Sequence, residues 1–114
     1  MSNLIERIRK ARQTRVEVNG KIFLCRRPTD WEVYEIRTGV KNLQMDILEK
    51  FVVGWEGFTE LDLVPGGDST VAEFSKELFS EWVQDNPDFW APLTAAITAE
   101  YSAHKLRKED AAKK

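Results

Sequence analysis

Residues 14–27 read TRVEVNGKIFLCRR, and this stretch decides the fold. Asn19-Gly20 is the pair that a two-residue type I′ turn favours, because both positions take positive φ. Val16 and Val18 precede the pair, and Ile22, Phe23 and Leu24 follow it. The pattern predicts a β-hairpin over about 14–26, with strands at 14–18 and 21–26. A two-stranded hairpin is marginal in water, so helices must cover one of its faces.

Those helices are sought on both sides of the hairpin. Downstream, Pro28 ends the second strand, and Thr29 with Glu32 has capping-box spacing. The hydroxyl takes a first-turn N–H while the carboxylate reaches back to the cap N–H. Trp31, Tyr34 and either Val33 or Ile36 supply this helix's apolar contacts, and Gly39 is a natural stop. Asn42 is placed to cap a next helix over about 43–53, with Leu43, Ile47, Leu48, Phe51, Val52 and Trp55 at helical spacing. Gly54 and Gly57 bracket Trp55 and break that pattern, which leaves Trp55 poorly covered. Residues 58–68 form a connection carrying Asp62 and Asp68, turned by Pro65-Gly66-Gly67. Residues 71–85 carry the strongest amphipathic pattern: Val71, Phe74, Leu78, Phe79, Trp82 and Val83 make one stripe, with Ser69 or Thr70 as cap. The last helix is expected over about 88–108. Asp88 is its cap, Pro92 lies in its first turn, and Phe89, Trp90, Leu93, Ile97 and Tyr101 share a face.

Upstream of the hairpin, residues 3–12 read as a short basic helix capped by Asn3 or Ser2, with a narrow apolar face of Leu4, Ile5 and Ile8. A helix this short is not stable alone, so it must pack on its own body or on a partner. The expected class is α+β, mostly α: the N-terminal hairpin packed against four to five helices in a single domain over 1–114. The basic helix within 1–12 is expected to be mobile, and the polar segment 109–114 to form a flexible tail.

Composition limits the functions open to this fold. The 114 residues are 42% hydrophobic and 32% charged, with six Phe, four Trp and two Tyr, enough aromatic mass for a packed core. A single cysteine, Cys25, excludes an intrachain disulfide, and a single histidine, His104, leaves no Cys/His zinc cluster. No run approaches the roughly 18–20 apolar residues of a membrane span. The segment from Met1 to Arg7 has no apolar signal core, so a cytoplasmic protein is expected. The net charge of −2 hides an asymmetry: residues 1–27 carry net +6, residues 28–100 net −11 and residues 101–114 net +3. Basic ends on an acidic body suit either solvated helix surface, or self-association of ends with bodies, or a nucleic-acid arm of Arg7, Arg9, Lys10, Arg12 and Arg15. A free-standing nucleic-acid binder is expected to have a basic body, and this body is acidic, so nucleic acid is not the expected partner.

No catalytic constellation can be assembled. His104 has no nearby second ligand in sequence and reads as a surface or packing histidine. Cys25, in a strand beside Arg26 and Arg27, reads as a small core hydrophobe; a Cys–His pair would need it to meet His104. Glu56 with Glu60, or Asp62 with Asp68, lacks the alternating spacing of a calcium loop. Gly66-Gly67 is not followed by Lys-Ser/Thr, and there is no dinucleotide fingerprint. The expectation is therefore no catalytic, cofactor-binding or metal-binding residue, no cofactor, and a non-enzymatic protein. The surplus of aromatics, with Phe89-Trp90 adjacent and Trp55 between glycines, suggests some exposed apolar surface for a protein partner.

Four stretches carry a resemblance: RRPTD (26–30), FVVGWEGFTELDLVPGG (51–67), FSKELFSEW (74–82) and DFWAPL (88–93). Together they resemble the tail assembly chaperones of long-tailed, siphovirus-type phages and prophages, over roughly residues 16–114. The VGWEG run with its Pro-Gly-Gly loop is the most specific part. The resemblance implies a chaperone made in the cytoplasm of the infected host and absent from the mature virion. Its implied partners are the long, hydrophobic tape measure protein, the tail tube protein that polymerises around it, and a longer form of itself made by −1 ribosomal frameshifting. The ending Ala112-Lys113-Lys114 is compatible with a slippery site, because lysine codons are A-rich. The family brings no active-site residue with it. A client-binding role, with self-association along the client, places the expected protein contacts at Leu4, Ile5, Ile8, Trp55 and Phe58. The alternatives are a structural head–tail or tail component of the virion, and a small nucleic-acid-binding protein using the basic N-terminal arm.

Overall fold

The computed structural model describes residues 3–39 and 44–112. Its hairpin is the expected one. β1 (Gln13–Val18) pairs antiparallel with β2 (Lys21–Arg26), with Val18 opposite Lys21 and Gln13 opposite Arg26. Asn19 (φ 51°) and Gly20 (φ 81°) both occupy the left-handed region that a type I′ turn requires. A third strand, β3 (Val52–Glu56), adds antiparallel to β2 and completes the order β1-β2-β3.

β3 corrects the sequence reading, which carried the preceding helix to about 53 and then broke the chain at Gly54. α3 (Gln44–Phe51) passes directly into the strand at Val52. Val52 and Val53 are β-branched and fit a pleated surface better than a helix. Gly54 is not a breaker but a point of close approach: a Cβ there would sit 3.0 Å from Leu24 Cδ1 on the paired strand. The expected Asn42 cap lies outside the described residues.

Six helices accompany the sheet among the described residues, and the class is α+β, mostly α. α1 (Leu4–Ala11) precedes β1, and α2 (Asp30–Thr38) follows β2 with the anticipated Thr29/Glu32 capping box formed. α4 (Glu60–Leu63) is a single turn inside what the sequence presented as a plain connection. α5 (Lys76–Gln84) is shorter than the expected 71–85. Residues 70–72 are instead extended and laced to 58–60: Ala72 N–H donates to the Phe58 carbonyl, and Glu60 N–H to the Thr70 carbonyl. Ser75, rather than Ser69 or Thr70, caps the helix by accepting the Leu78 N–H. α6 (Trp90–Ala112) is entered through a 3-10 turn (Pro87–Phe89) instead of an Asp88 cap, and it continues past the expected end near 108.

The core lies where the sheet meets α3, α5 and α6. Phe23, Phe51, Phe58, Phe79, Leu48 and Leu93 are fully buried there. Phe23 on the central strand meets the rings of Phe58, Phe79 and Phe89 edge-on at 5.6–6.4 Å. Edge-to-face pairs of this kind contribute beyond the area they bury.

Candidate functional site

α1 is a helix whose side chains are all spent on solvent. Asn3 caps it by accepting the Glu6 N–H at 2.8 Å. None of its residues is buried; Leu4, Ile5 and Ile8 are 67%, 59% and 46% exposed. At about 100° per residue these three fall within roughly 100° of the helix circumference. Arg7 and Arg9 flank that apolar arc on either side. The structure thus brings Leu4, Ile5 and Ile8 together on one open face.

The other two expected contact residues are corrected. Trp55 is 8% exposed and Phe58 fully buried. Pairing of β3 with β2 sets Trp55 opposite Phe23. Its ring stacks on Phe58 at 4.2 Å, and its indole N–H donates to the Ala72 carbonyl at 2.9 Å. Both residues are core, and the glycines beside Trp55 do not uncover it.

Conversely, Trp31 and Tyr34, read from the sequence as helix packing residues, are 66% and 59% exposed. They stack on each other at 5.5 Å along the outer side of α2, while Val33 and Ile36 are half-buried. Their i, i+3 spacing places them on one face; the sequence does not say which face turns outward.

A second apolar surface lies between α4 and α5. Leu63, Val64, Leu78 and Trp82 line a groove of about 180 Å³ whose charged rim is Glu81 and Asp85. A second concavity, of about 310 Å³, opens between α1 and the start of α2 and is basic, with Arg9, Arg12 and Arg26 on its wall. Arg26 is already engaged: its two guanidinium nitrogens donate to both Glu32 oxygens at 2.8 and 2.9 Å. That pairing, followed by the Thr29 N–H, holds the Glu32 carboxyl down at about 2 although partial burial opposes it.

Of the titratable residues weighed from the sequence, Cys25, Glu56, Asp62, Asp68 and His104 are taken up in local structure. Asp30 accepts hydrogen bonds from Lys108 and the Tyr101 hydroxyl, each at 2.8 Å, which hold its carboxyl down at about 2. His104 lies 3.7 Å from the same carboxylate, and desolvation, with the charge of Arg27, lowers its pKa. Cys25 is buried, and that burial pushes its thiol up to about 12, so the thiol is held in its un-ionised form near neutral pH. Glu56 pairs with Arg15, Asp62 with Lys21, and Asp68 accepts the Thr70 N–H. Among the described residues no three His, Cys, Asp or Glu side chains are placed to share a metal ion, and no helix is long and apolar enough to cross a membrane.

Comparison with protein-family models, with curated proteins and with solved structures finds no match to this chain.

Proposed function

We propose that this chain is a non-enzymatic tail assembly chaperone of a long-tailed phage or prophage, which keeps the tape measure protein soluble and promotes tube assembly around it. The observation that carries the reading is α1, a capped helix with Leu4, Ile5 and Ile8 open to solvent and no residue buried in its own domain. An apolar helical segment of the client covers that face, and Arg7 and Arg9 keep the uncovered helix in solution. The four stretches of sequence resemblance supply the identity of the client. On this reading the protein acts in the cytoplasm of the infected host, meets the tail tube protein and a longer frameshifted form of itself during assembly, and leaves before the virion is complete.

The test is co-expression with the tape measure protein. Wild type keeps that client in the soluble fraction. Leu4→Asp with Ile8→Asp loses it to the pellet while the far-UV circular dichroism of the chaperone is unchanged. Solubilisation by the double variant would refute the assignment of α1. Mass spectrometry of purified particles separates the structural-component alternative, because a chaperone is missing from them. Salt-dependent binding to random duplex DNA, lost with Arg9→Glu and Arg12→Glu, would instead favour the basic concavity and a nucleic-acid partner.

A further inference from the structure

We propose that the client segment taken by α1 is an amphipathic helix with an acidic first turn. It lies antiparallel to α1, with its apolar stripe on Leu4, Ile5 and Ile8 and its first-turn carboxylates in the basic concavity of Arg9 and Arg12. The inference rests on the client-binding reading of α1 and adds the chemistry by which a segment of the client is chosen.

The apolar arc of α1 does not end in neutral surface. Leu4, Ile8 and Arg12 follow one another at four-residue spacing, which stacks them on one face. Arg12, the C-cap, keeps helical backbone angles (φ −88°, ψ −8°), so it continues that face beyond Ile8. Arg7 and Arg9 flank the arc, and from Leu4 to Arg12 four cations stand against one acid, Glu6. Arg9 and Arg12 also wall the concavity of about 310 Å³ that opens toward the start of α2.

That concavity suits a carboxylate. Among the described residues neither Arg9 nor Arg12 is held in an ion pair. The anion on its wall, Glu32, is already engaged: both of its oxygens accept from Arg26, and Lys50 Nζ lies 3.4 Å away. Thr29 Oγ1 accepts the Glu32 N–H, which leaves its hydroxyl proton for a further partner. An incoming carboxylate therefore meets two guanidinium groups, whose planar fork matches its two oxygens.

The two surfaces together select the occupant. A neutral apolar segment would strip water from Arg7, Arg9 and Arg12 without replacing it, and a basic segment would be repelled. A nucleic-acid strand would satisfy the arginines but leave Leu4, Ile5 and Ile8 uncovered, and residues 28–100 of the body carry net −11 against it. An acidic amphipathic helix answers both surfaces. Its direction follows from the helix dipole. Asp and Glu stabilise a helix at its N-terminal turn, where the partial charge is positive. The concavity lies at the C-terminal end of α1, so the partner's acidic first turn meets Arg9 and Arg12 when the two helices run antiparallel. Arg12 stands four residues, about 6 Å, beyond Ile8, which sets the carboxylates about one turn outside the partner's apolar stripe.

The experiment is an NMR titration of the isotopically labelled full chain, up to millimolar concentration, with synthetic peptides of about 20 residues, long enough to be helical. Three peptides share one apolar stripe and carry two glutamates, two glutamines or two lysines in the first turn; a fourth carries the glutamates in its last turn. The acidic-first peptide shifts the amides of α1 and Arg12. It binds about 3–10-fold more tightly than the glutamine peptide at low salt, and the margin shrinks as salt is added. The lysine and acidic-last peptides bind no better than the glutamine peptide. Arg9→Gln with Arg12→Gln keeps the apolar contact and removes the preference. Should that variant fray α1, the four peptides and the salt series on wild type decide alone. Equal affinity for the glutamate and glutamine peptides, acidic-last binding as tight as acidic-first, or a preference that survives the double change overturns the inference and leaves α1 as a client site. A short oligothymidylate that binds at Arg9 and Arg12 more tightly than the acidic-first peptide overturns it in favour of a polyanion. If no peptide shifts α1, the client reading itself falls, and the inference with it.

Discussion

Replacing Trp55 tests the most consequential correction, its move from expected contact surface to core. The indole is 8% exposed, stacks on Phe58 at 4.2 Å and meets Phe74 edge-on at 5.3 Å. Its N–H donates to the Ala72 carbonyl at 2.9 Å, which ties the extended segment before α5 to the sheet. Truncating a buried Trp to Ala costs about 3–5 kcal/mol. About 1 kcal/mol of that belongs to the hydrogen bond and about 0.5–1.5 to the aromatic pairs. Against a total stability of about 5–15 kcal/mol this is a large fraction, and it lowers the melting temperature by more than about 10 °C. The assay is urea unfolding followed by far-UV circular dichroism, with Ile8→Asp as the exposed control, expected within about 0.5 kcal/mol of wild type. Trp55→Phe keeps a ring but strands the Ala72 carbonyl, so it falls between the two. A loss below about 1 kcal/mol for Trp55→Ala would put the side chain back on the surface and refute the placement of β3.

Glu32 and Gly67 give two further tests. The Glu32 carboxyl is held at about 2, against an ordinary 4.5, chiefly by the Arg26 guanidinium. A depressed carboxylate contributes stability that is complete above about pH 4.5 and is lost as pH falls toward 2; with allowance for solvent at the site, the contribution is about 1–2 kcal/mol. Glu32→Gln should lower stability at pH 7 by that amount and flatten this part of the acid limb, and parallel pH–stability curves would show that the pair contributes nothing. At Gly67 a Cβ would lie 2.7 Å from the Glu60 carbonyl carbon and oxygen and 2.9 Å from Leu61 N, all backbone. Gly67→Ala should therefore cost about 1–3 kcal/mol in thermal unfolding by displacing α4, and a neutral result would mean that the turn is not closed as described.

What was legible in the sequence was what is decided locally. Asn19-Gly20 fixes the hairpin because the turn itself demands positive φ, and Thr29 with Glu32 fixes the start of α2 because the cap closes within four residues. β3 was hidden because Leu48, Phe51, Val52 and Trp55 continue a helical spacing. Only pairing with β2, distant in sequence, makes Val52–Glu56 a strand. The stripe from Val71 to Val83 misled in the same way: Phe74 reaches the core from extended chain, held by hydrogen bonds to residues 58–60 that no local pattern announces. At the candidate site the apolar face of α1 was legible from its spacing. The α4–α5 groove was not, since Leu63, Val64 and Glu81 come together only through the fold. Trp55 and Trp31 exchanged roles for one reason: periodicity groups residues on a face but does not turn that face inward or outward.

The exposed face of α1 is small, and its size constrains any mechanism built on it. Covering three aliphatic side chains that are already half to two-thirds exposed recovers about 3–5 kcal/mol. Association of two molecules costs at least about 4 kcal/mol before any side chain is ordered. One α1 on one client segment is therefore not a retained complex, and a chaperone working through this helix must present many at once. On the proposed reading, a long client that offers many apolar segments is kept soluble by rapid exchange of many copies along it, each covering one segment for a short time. The same weakness is what lets the client be released when the tube assembles around it.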